Sequence, residues 1–166
     1  ESDESDALSI TIDSSIMSNR TALDNAITDW IADETSATEI YGDINDWDVS
    51  SITDFSYLFS NYVGFNSDIS NWDVSNVTDF DYVFFNCTHF NEDISGWDVS
   101  NGTTFEGMFD RATSFNQNIG SWQVGSGTNF SRMFYDAQSF NKDIGSWDVS
   151  NGTDFEYMFR GASSFN

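Results

Sequence analysis

From residue 42 onward the apolar positions recur every 25 residues without an insertion. Trp47, Trp72, Trp97, Trp122 and Trp147 mark the period. Ile44, Ile69, Ile94, Ile119 and Ile144 stand before them, and Val49, Val74, Val99, Val124 and Val149 follow. Phe55, Phe59 and Phe65 repeat in the same steps to Phe155, Phe159 and Phe165, and Leu58, Val83, Met108, Met133 and Met158 form one more apolar column. Such columns mean stacked copies of one unit, because a single unit cannot bury its own apolar face. The periodicity changes inside the unit. Trp47, Val49, Thr53 and Phe55 share one parity, as in a strand. Phe55, Leu58, Phe59 and Tyr62 are spaced i, i+3, i+4, i+7, as on one face of a helix. The expected fold class is α/β: a leucine-rich-repeat-like solenoid of five 25-residue strand-plus-short-helix units with an N-terminal helical cap.

Three segments follow from this reading. Residues 1–17 are an acidic arm in which L-S-I-T-I-D, between Ala7 and Ser15, alternates like a strand. Residues 18–41 are the helical cap. Ser18 or Asn19 is placed to cap a helix running to about Ala32, with Leu23, Ala26, Ile27, Trp30 and Ile31 as the apolar stripe over the first unit. Ile40 and Tyr41 hold the places of Phe65 and Asn66 and begin a degenerate first turn. Residues 42–166 are the five-repeat solenoid. No capping pattern follows Phe165 and Asn166, which leaves three readings open: a piece of a longer array, a last unit that tolerates exposure, or an end that stacks on another molecule. Head-to-tail stacking does not close and builds a filament. The start at Glu1 without Met reads as a processed or trimmed N-terminus.

Composition narrows the function. Hydrophobic residues make up 39% and aromatic residues 17% of the chain, enough to build a core despite a net charge of −23. Five basic residues against 28 acidic ones exclude a phosphate-binding surface and disfavour nucleic acid. No apolar run reaches the length of a membrane span, so no membrane insertion is expected in this segment. The one cysteine, Cys87, sits in the column of Tyr62, Ala112, Ala137 and Ala162 and reads as a small core residue. With one histidine, His89, and acids copied evenly along the repeats, no catalytic residues are assigned, and the chain is not expected to be an enzyme.

Asn66, Asn91, Asn116, Asn141 and Asn166 form a structural amide column suited to satisfying backbone groups of the return loop. The tryptophan column is read as core. Glycosylation sequons occur at Asn19, Asn76, Asn86, Asn101, Asn129 and Asn151; Asn76, Asn101 and Asn151 share one turn column, the best placed for N-linked glycans. Asp43, Asp68, Asp93 and Asp143 precede the isoleucines, and Asp48, Asp73, Asp98 and Asp148 follow the tryptophans. These columns are read as backbone caps, with bridging calcium as the weaker alternative and no metal site assigned. The column from Thr53 to Thr153 raises ice binding as a further, weaker option.

The run Phe65-Asn66-Ser67-Asp68-Ile69 through Trp72-Asp73-Val74-Ser75-Asn76-Val77-Thr78-Asp79-Phe80 resembles the BspA-like leucine-rich repeats, surface repeats of the Mycoplasma-lipoprotein type found in bacteria, protists and algae. The chain departs from the common pattern at Phe55 and its equivalents, at Gly102 and Gly152, and at Gln123 and Gly125. The resemblance implies a secreted or cell-surface protein without catalytic residues. The expected function is an extracellular structural or adhesive repeat glycoprotein, with filament formation by end-to-end assembly as one outcome. The alternative is a cell-surface recognition module that binds a protein or carbohydrate on one face. Partners are therefore other copies of the chain or an extracellular protein or glycan.

Overall fold

The computed structural model describes Met17 and residues 19–166. The strand-like stretch of the acidic arm and Ser18 lie outside the described residues. Helix α1, Arg20–Ala32, begins at Asn19, whose extended backbone turns its side-chain oxygen toward the Ala22 N–H. It buries Leu23, Ala26, Ile27 and Trp30. Ile31, counted with the apolar stripe, is instead 38% exposed. Asp33 ends α1 and starts α2, Glu34–Tyr41, by accepting from the Thr35 and Ser36 N–H groups. The helix runs through the expected degenerate turn and leaves Ile40 exposed, stopping at Gly42 with φ 76°. A short 3-10 turn, Ile44–Asp46, follows.

The remaining chain stacks in five rungs of 25 residues, 42–66, 67–91, 92–116, 117–141 and 142–166. Their construction overturns the strand-plus-helix expectation. Among the described residues, no rung contains an α-helix, and the β content is one parallel bridge residue per rung: Asp54, Asp79, Thr104, Asn129 and Asp154. The α/β leucine-rich-repeat-like assignment is therefore corrected.

The cause lies in backbone handedness. Tyr57 and Asn61 are left-handed, with φ 59° and 67°, and the equivalent pair is left-handed in every rung. A right-handed helix cannot pass through such residues. Instead, alternate N–H groups divide their work. Leu58, Ser60 and Tyr62 close turns onto Phe55, Tyr57 and Phe59 within the rung. Phe55, Tyr57, Phe59 and Asn61 donate to the carbonyls of Asp79, Asp81, Val83 and Phe85 on the next rung at 2.8–2.9 Å. The same four-bond ladder joins each later pair of rungs. This turn ribbon repeats every four residues, so Phe55 and Phe59 point inward as they would on a helix. The helical spacing was real, but a different backbone produces it.

The core is a double column of rings. Phe59, Phe84, Phe109, Phe134 and Phe159 stack with centroids 5.4–5.6 Å apart. The column Phe65 to Phe165 stacks beside it at 5.7–6.0 Å. Offset stacks of this kind add about 0.5–1.5 kcal/mol per pair beyond burial. The tryptophans are also buried, 3–9% exposed. Trp72, Trp97, Trp122 and Trp147 each donate an indole N–H to an isoleucine carbonyl of the preceding rung at 2.7–3.1 Å. At Gly102, Gly127 and Gly152 a phenylalanine ring fills the Cβ position, its Cζ standing 2.2–2.5 Å from where a Cβ would sit.

The cap imitates the missing preceding rung. In later rungs the carbonyls of Asp79 and Asp81 accept from backbone N–H groups. In rung 1 the equivalent carbonyls, on Asp54 and Ser56, accept from the Arg20 guanidinium at 2.9 and 2.6 Å. Trp30 packs edge-on against Trp47, centroids 5.7 Å apart.

Candidate recognition face

Most columns singled out in the sequence are used to hold rungs together. The Asn66 side-chain oxygen accepts from the Asn91 N–H at 2.7 Å, and the same bond continues through Asn116, Asn141 and Asn166 at 2.8–3.1 Å. The threonine hydroxyls from Thr78 to Thr153 donate to the threonine carbonyl one rung back at 3.0–3.2 Å. Asp48, Asp73, Asp98 and Asp148 each accept from a serine N–H two residues ahead, and Asp43, Asp68, Asp93 and Asp143 accept from the N–H two residues ahead, on Asn45, Ser70, Ser95 and Gly145. The Ser75, Ser95 and Ser100 groups hold the carboxyls of Asp73, Asp93 and Asp98 below the usual range. Among the described residues no group of three or more His, Cys, Asp or Glu side chains is arranged to hold a metal ion.

The sequon asparagines divide by surroundings. Asn76, Asn101 and Asn151 are exposed, and their amide nitrogens donate to carbonyls of the preceding rung at 2.7–2.9 Å. Asn86 is half-buried and left-handed, and its amide donates to Asn61. The Asn129 amide donates to Glu106 at 3.0 Å, and Asn19 caps α1. Cys87 is fully buried, its sulfur 2.9 Å from the Phe59 carbonyl oxygen, and burial pushes its thiol up to about 12. His89 stands apart, its Nδ1 2.8 Å from the Val63 carbonyl oxygen.

The turn ribbon presents a face whose outward residues change from rung to rung. Its first left-handed position holds Tyr57, Tyr82, Gly107, Arg132 and Tyr157; its second holds Asn61, Asn86, Arg111, Asp136 and Gly161. The position between them holds Ser60, Phe85, Asp110, Tyr135 and Arg160. Tyr57, 57% exposed, stacks on Tyr82 with centroids 5.0 Å apart. Tyr82 leans over Gly107, where a Cβ would stand 2.2 Å from the ring, and donates its hydroxyl to Glu106. Farther along, Arg132 lies 4.1 Å from the Tyr135 centroid, and Arg160 lies 5.7 and 5.3 Å from the Tyr135 and Tyr157 centroids. Beneath them Asp110 is fully buried. Its Oδ2 accepts from Arg132 Nε at 2.9 Å and lies 2.8 Å from Arg132 Nη2; its Oδ1 has no hydrogen-bond partner. Burial pushes the Asp110 carboxyl up while Arg132 and Arg111 pull it back.

The sequence reading passed over this face because it searched for columns that repeat. The available signal was the opposite one: variable positions between the constant Phe columns, gathering three of the five basic residues. A separate pocket of about 460 Å³ lies between the cap and rung 1, lined by Trp30, Ile31, Glu34, Asn61, Val63 and Asn66.

No helix among the described residues is long and apolar enough to cross a membrane. No curated protein and no solved structure matches the chain. The family described as "Mycoplasma protein of unknown function, DUF285" matches residues 31–126 and 103–166, which covers all five rungs. The chain belongs to this family.

Proposed function

We propose that the chain is a non-catalytic recognition module, secreted or held at a cell surface, which reads a partner with its turn-ribbon face. One observation carries this reading. Bulky side chains occupy left-handed backbone on that face: Tyr57, Tyr82, Arg132 and Tyr157, with φ between 55° and 59°. Such residues cost about 1–2 kcal/mol each relative to glycine, and glycine already serves at Gly107. The ladder bonds at these positions use backbone groups only, so the fold does not require the rings. Strain kept where the fold does not require it points to function. Tyrosine and arginine are also the residues that dominate binding hot spots. The BspA-like resemblance and the family's Mycoplasma-type repeats support a surface location.

The filament reading is less well supported. In rung 1 the carbonyls that a second molecule's terminal rung would need, on Asp54 and Ser56, are taken by Arg20. The deciding experiment is binding of labelled protein to cells of the source organism. Variants Tyr57→Ser, Tyr157→Ser and Arg160→Ser are expected to weaken binding, whereas Gln138→Ala and Ser163→Ala in the return loops are not. Equal loss from both sets would sink the proposal.

A further inference from the structure

We infer that the ribbon face of rungs 3 to 5 binds an aspartate or glutamate side chain presented by a protein partner. This rests on the recognition reading above and names its chemistry. The chain has 28 acidic and five basic residues, yet Arg111, Arg132 and Arg160 gather on three successive rungs of one face. With so many carboxylates at hand, chance pairing would neutralise each of them internally. Arg160 makes no ion pair among the described residues; its guanidinium rests between the Tyr135 and Tyr157 rings. A guanidinium held beside aromatic rings by cation–π attraction keeps N–H donors for a carboxylate, which it can grip with two bonds.

Asp110 explains how the neighbouring cations are held. This buried carboxylate bonds Arg132 through one oxygen, while its other oxygen lies 3.9 Å from Arg111 Nε. One internal negative charge is thus shared by two cations, and Arg132 is fixed over Tyr135 at 4.1 Å. The donors that Asp110 leaves unused are available to a ligand. Surrounding charge limits the ligand's size. Glu106, Asp136 and Glu156 occupy the same ribbon, and the chain carries a net charge of −23. A polyanion such as a sulfated glycan is repelled by that field. A single carboxylate on an otherwise neutral or basic surface is not.

The test follows arginine Nε–Hε signals by NMR in the full chain. The probes are the peptide acetyl-Gly-Ser-Glu-Ser-Gly-amide, its Gln and Lys counterparts, and a sulfated tetrasaccharide. The Glu peptide is expected to shift the Arg132 and Arg160 signals saturably, and the Gln and Lys peptides to leave them still. Arg160→Gln should weaken the Glu peptide about tenfold, the scale of one lost charge-assisted contact. Lys142→Gln should change nothing. Equal shifts from the Gln peptide, or tighter binding of the tetrasaccharide, would overturn the carboxylate assignment. If only the Tyr57 and Tyr82 ring signals respond, to the Gln or Lys peptide, the carboxylate assignment falls and the recognition reading stands.

Discussion

Replacing Phe109 by alanine tests whether stability is carried by contacts between neighbouring rungs. Phe109 is fully buried at the middle of the stack. Its ring lies 5.6 Å from Phe84 on one side and 5.6 Å from Phe134 on the other, with Phe115 at 3.9 Å and Trp122 at 6.3 Å. Losing the buried ring costs about 2 kcal/mol in transfer energy. A cavity of roughly 80 Å³ at about 24 cal/mol per Å³ adds about 2 kcal/mol. The expected loss is therefore about 4 kcal/mol, within the range for buried phenylalanine. Phe159 is the comparison. It stacks on Phe134 at 5.4 Å and Phe165 at 4.2 Å, and it is only partly buried. Water can enter the space left there, so Phe159→Ala should cost about 1–2 kcal/mol. Urea unfolding followed by tryptophan fluorescence measures both. In a quasi-linear stack the central variant should also lower the apparent m-value, because rungs 4 and 5 unfold ahead of the rest. Equal costs for the two variants, with unchanged m-values, would refute neighbour-interface control.

Other perturbations probe separate parts of the molecule. Arg20→Gln removes the donors to the Asp54 and Ser56 carbonyls and should lower stability by about 1–3 kcal/mol, read as a drop in melting temperature. Stability should rise as pH falls through the raised folded value of the Asp81 carboxyl toward its ordinary value of about 4, because burial holds that carboxyl above its ordinary value, with Asp79 and Glu106 adding repulsion; protonating it removes a penalty of the folded state. The opposite limb comes from Asp73, Asp93 and Asp98, whose lowered values give stability that is present above about pH 4 and lost as pH falls through their folded values. Asp81→Asn should reduce the first limb, to which the buried Asp110 also contributes, and leave the second unchanged in a series of melts across pH. Tyr157→Gly should leave the melting temperature equal or higher while weakening partner binding; a fall in stability beyond about 1 kcal/mol would mean that the ring supports the fold.

The stacking of 25-residue units was legible because every ladder bond and ring pair demands the same residue at the same place in each rung. The amide column from Asn66 to Asn166 and the core place of Cys87 followed from the same logic. Helix α1 was legible from Asn19 and the Leu23–Ala26–Ile27–Trp30 spacing. The backbone inside the rung was not. A four-residue turn ribbon and an α-helix both bring Phe55 and Phe59 inward, and apolar spacing cannot distinguish them. Handedness at Tyr57 and Arg132 was equally hidden, because glycine or asparagine normally announces a left-handed residue and tyrosine and arginine do not. Asp110 had no signal in the sequence, since a lone aspartate among 28 acidic residues looks like surface.

The turn ribbon separates two demands that compete in most folds. Its inter-rung bonds run between backbone groups, so they persist whatever side chain stands at the left-handed positions. The inward residues Phe55, Phe59 and their copies carry the packing. Outward residues are thereby released from the inter-rung backbone ladder, and exposed ones such as Tyr57 and Tyr157 stand chiefly against the cost of left-handed backbone. That cost favours glycine or asparagine, which stand at Asn61, Asn86, Gly107 and Gly161, the two glycines also leaving room for the Tyr82 ring and the Asp136 carboxylate. On the proposed reading, the positions that keep a bulky side chain, Tyr57, Tyr82, Arg111 and Tyr157, mark the recognition surface, whereas Arg132 also has a partner in the buried Asp110. Each stands on backbone that the neighbouring rung holds in place, so under the proposed recognition reading the face is preformed and would lose little entropy on binding.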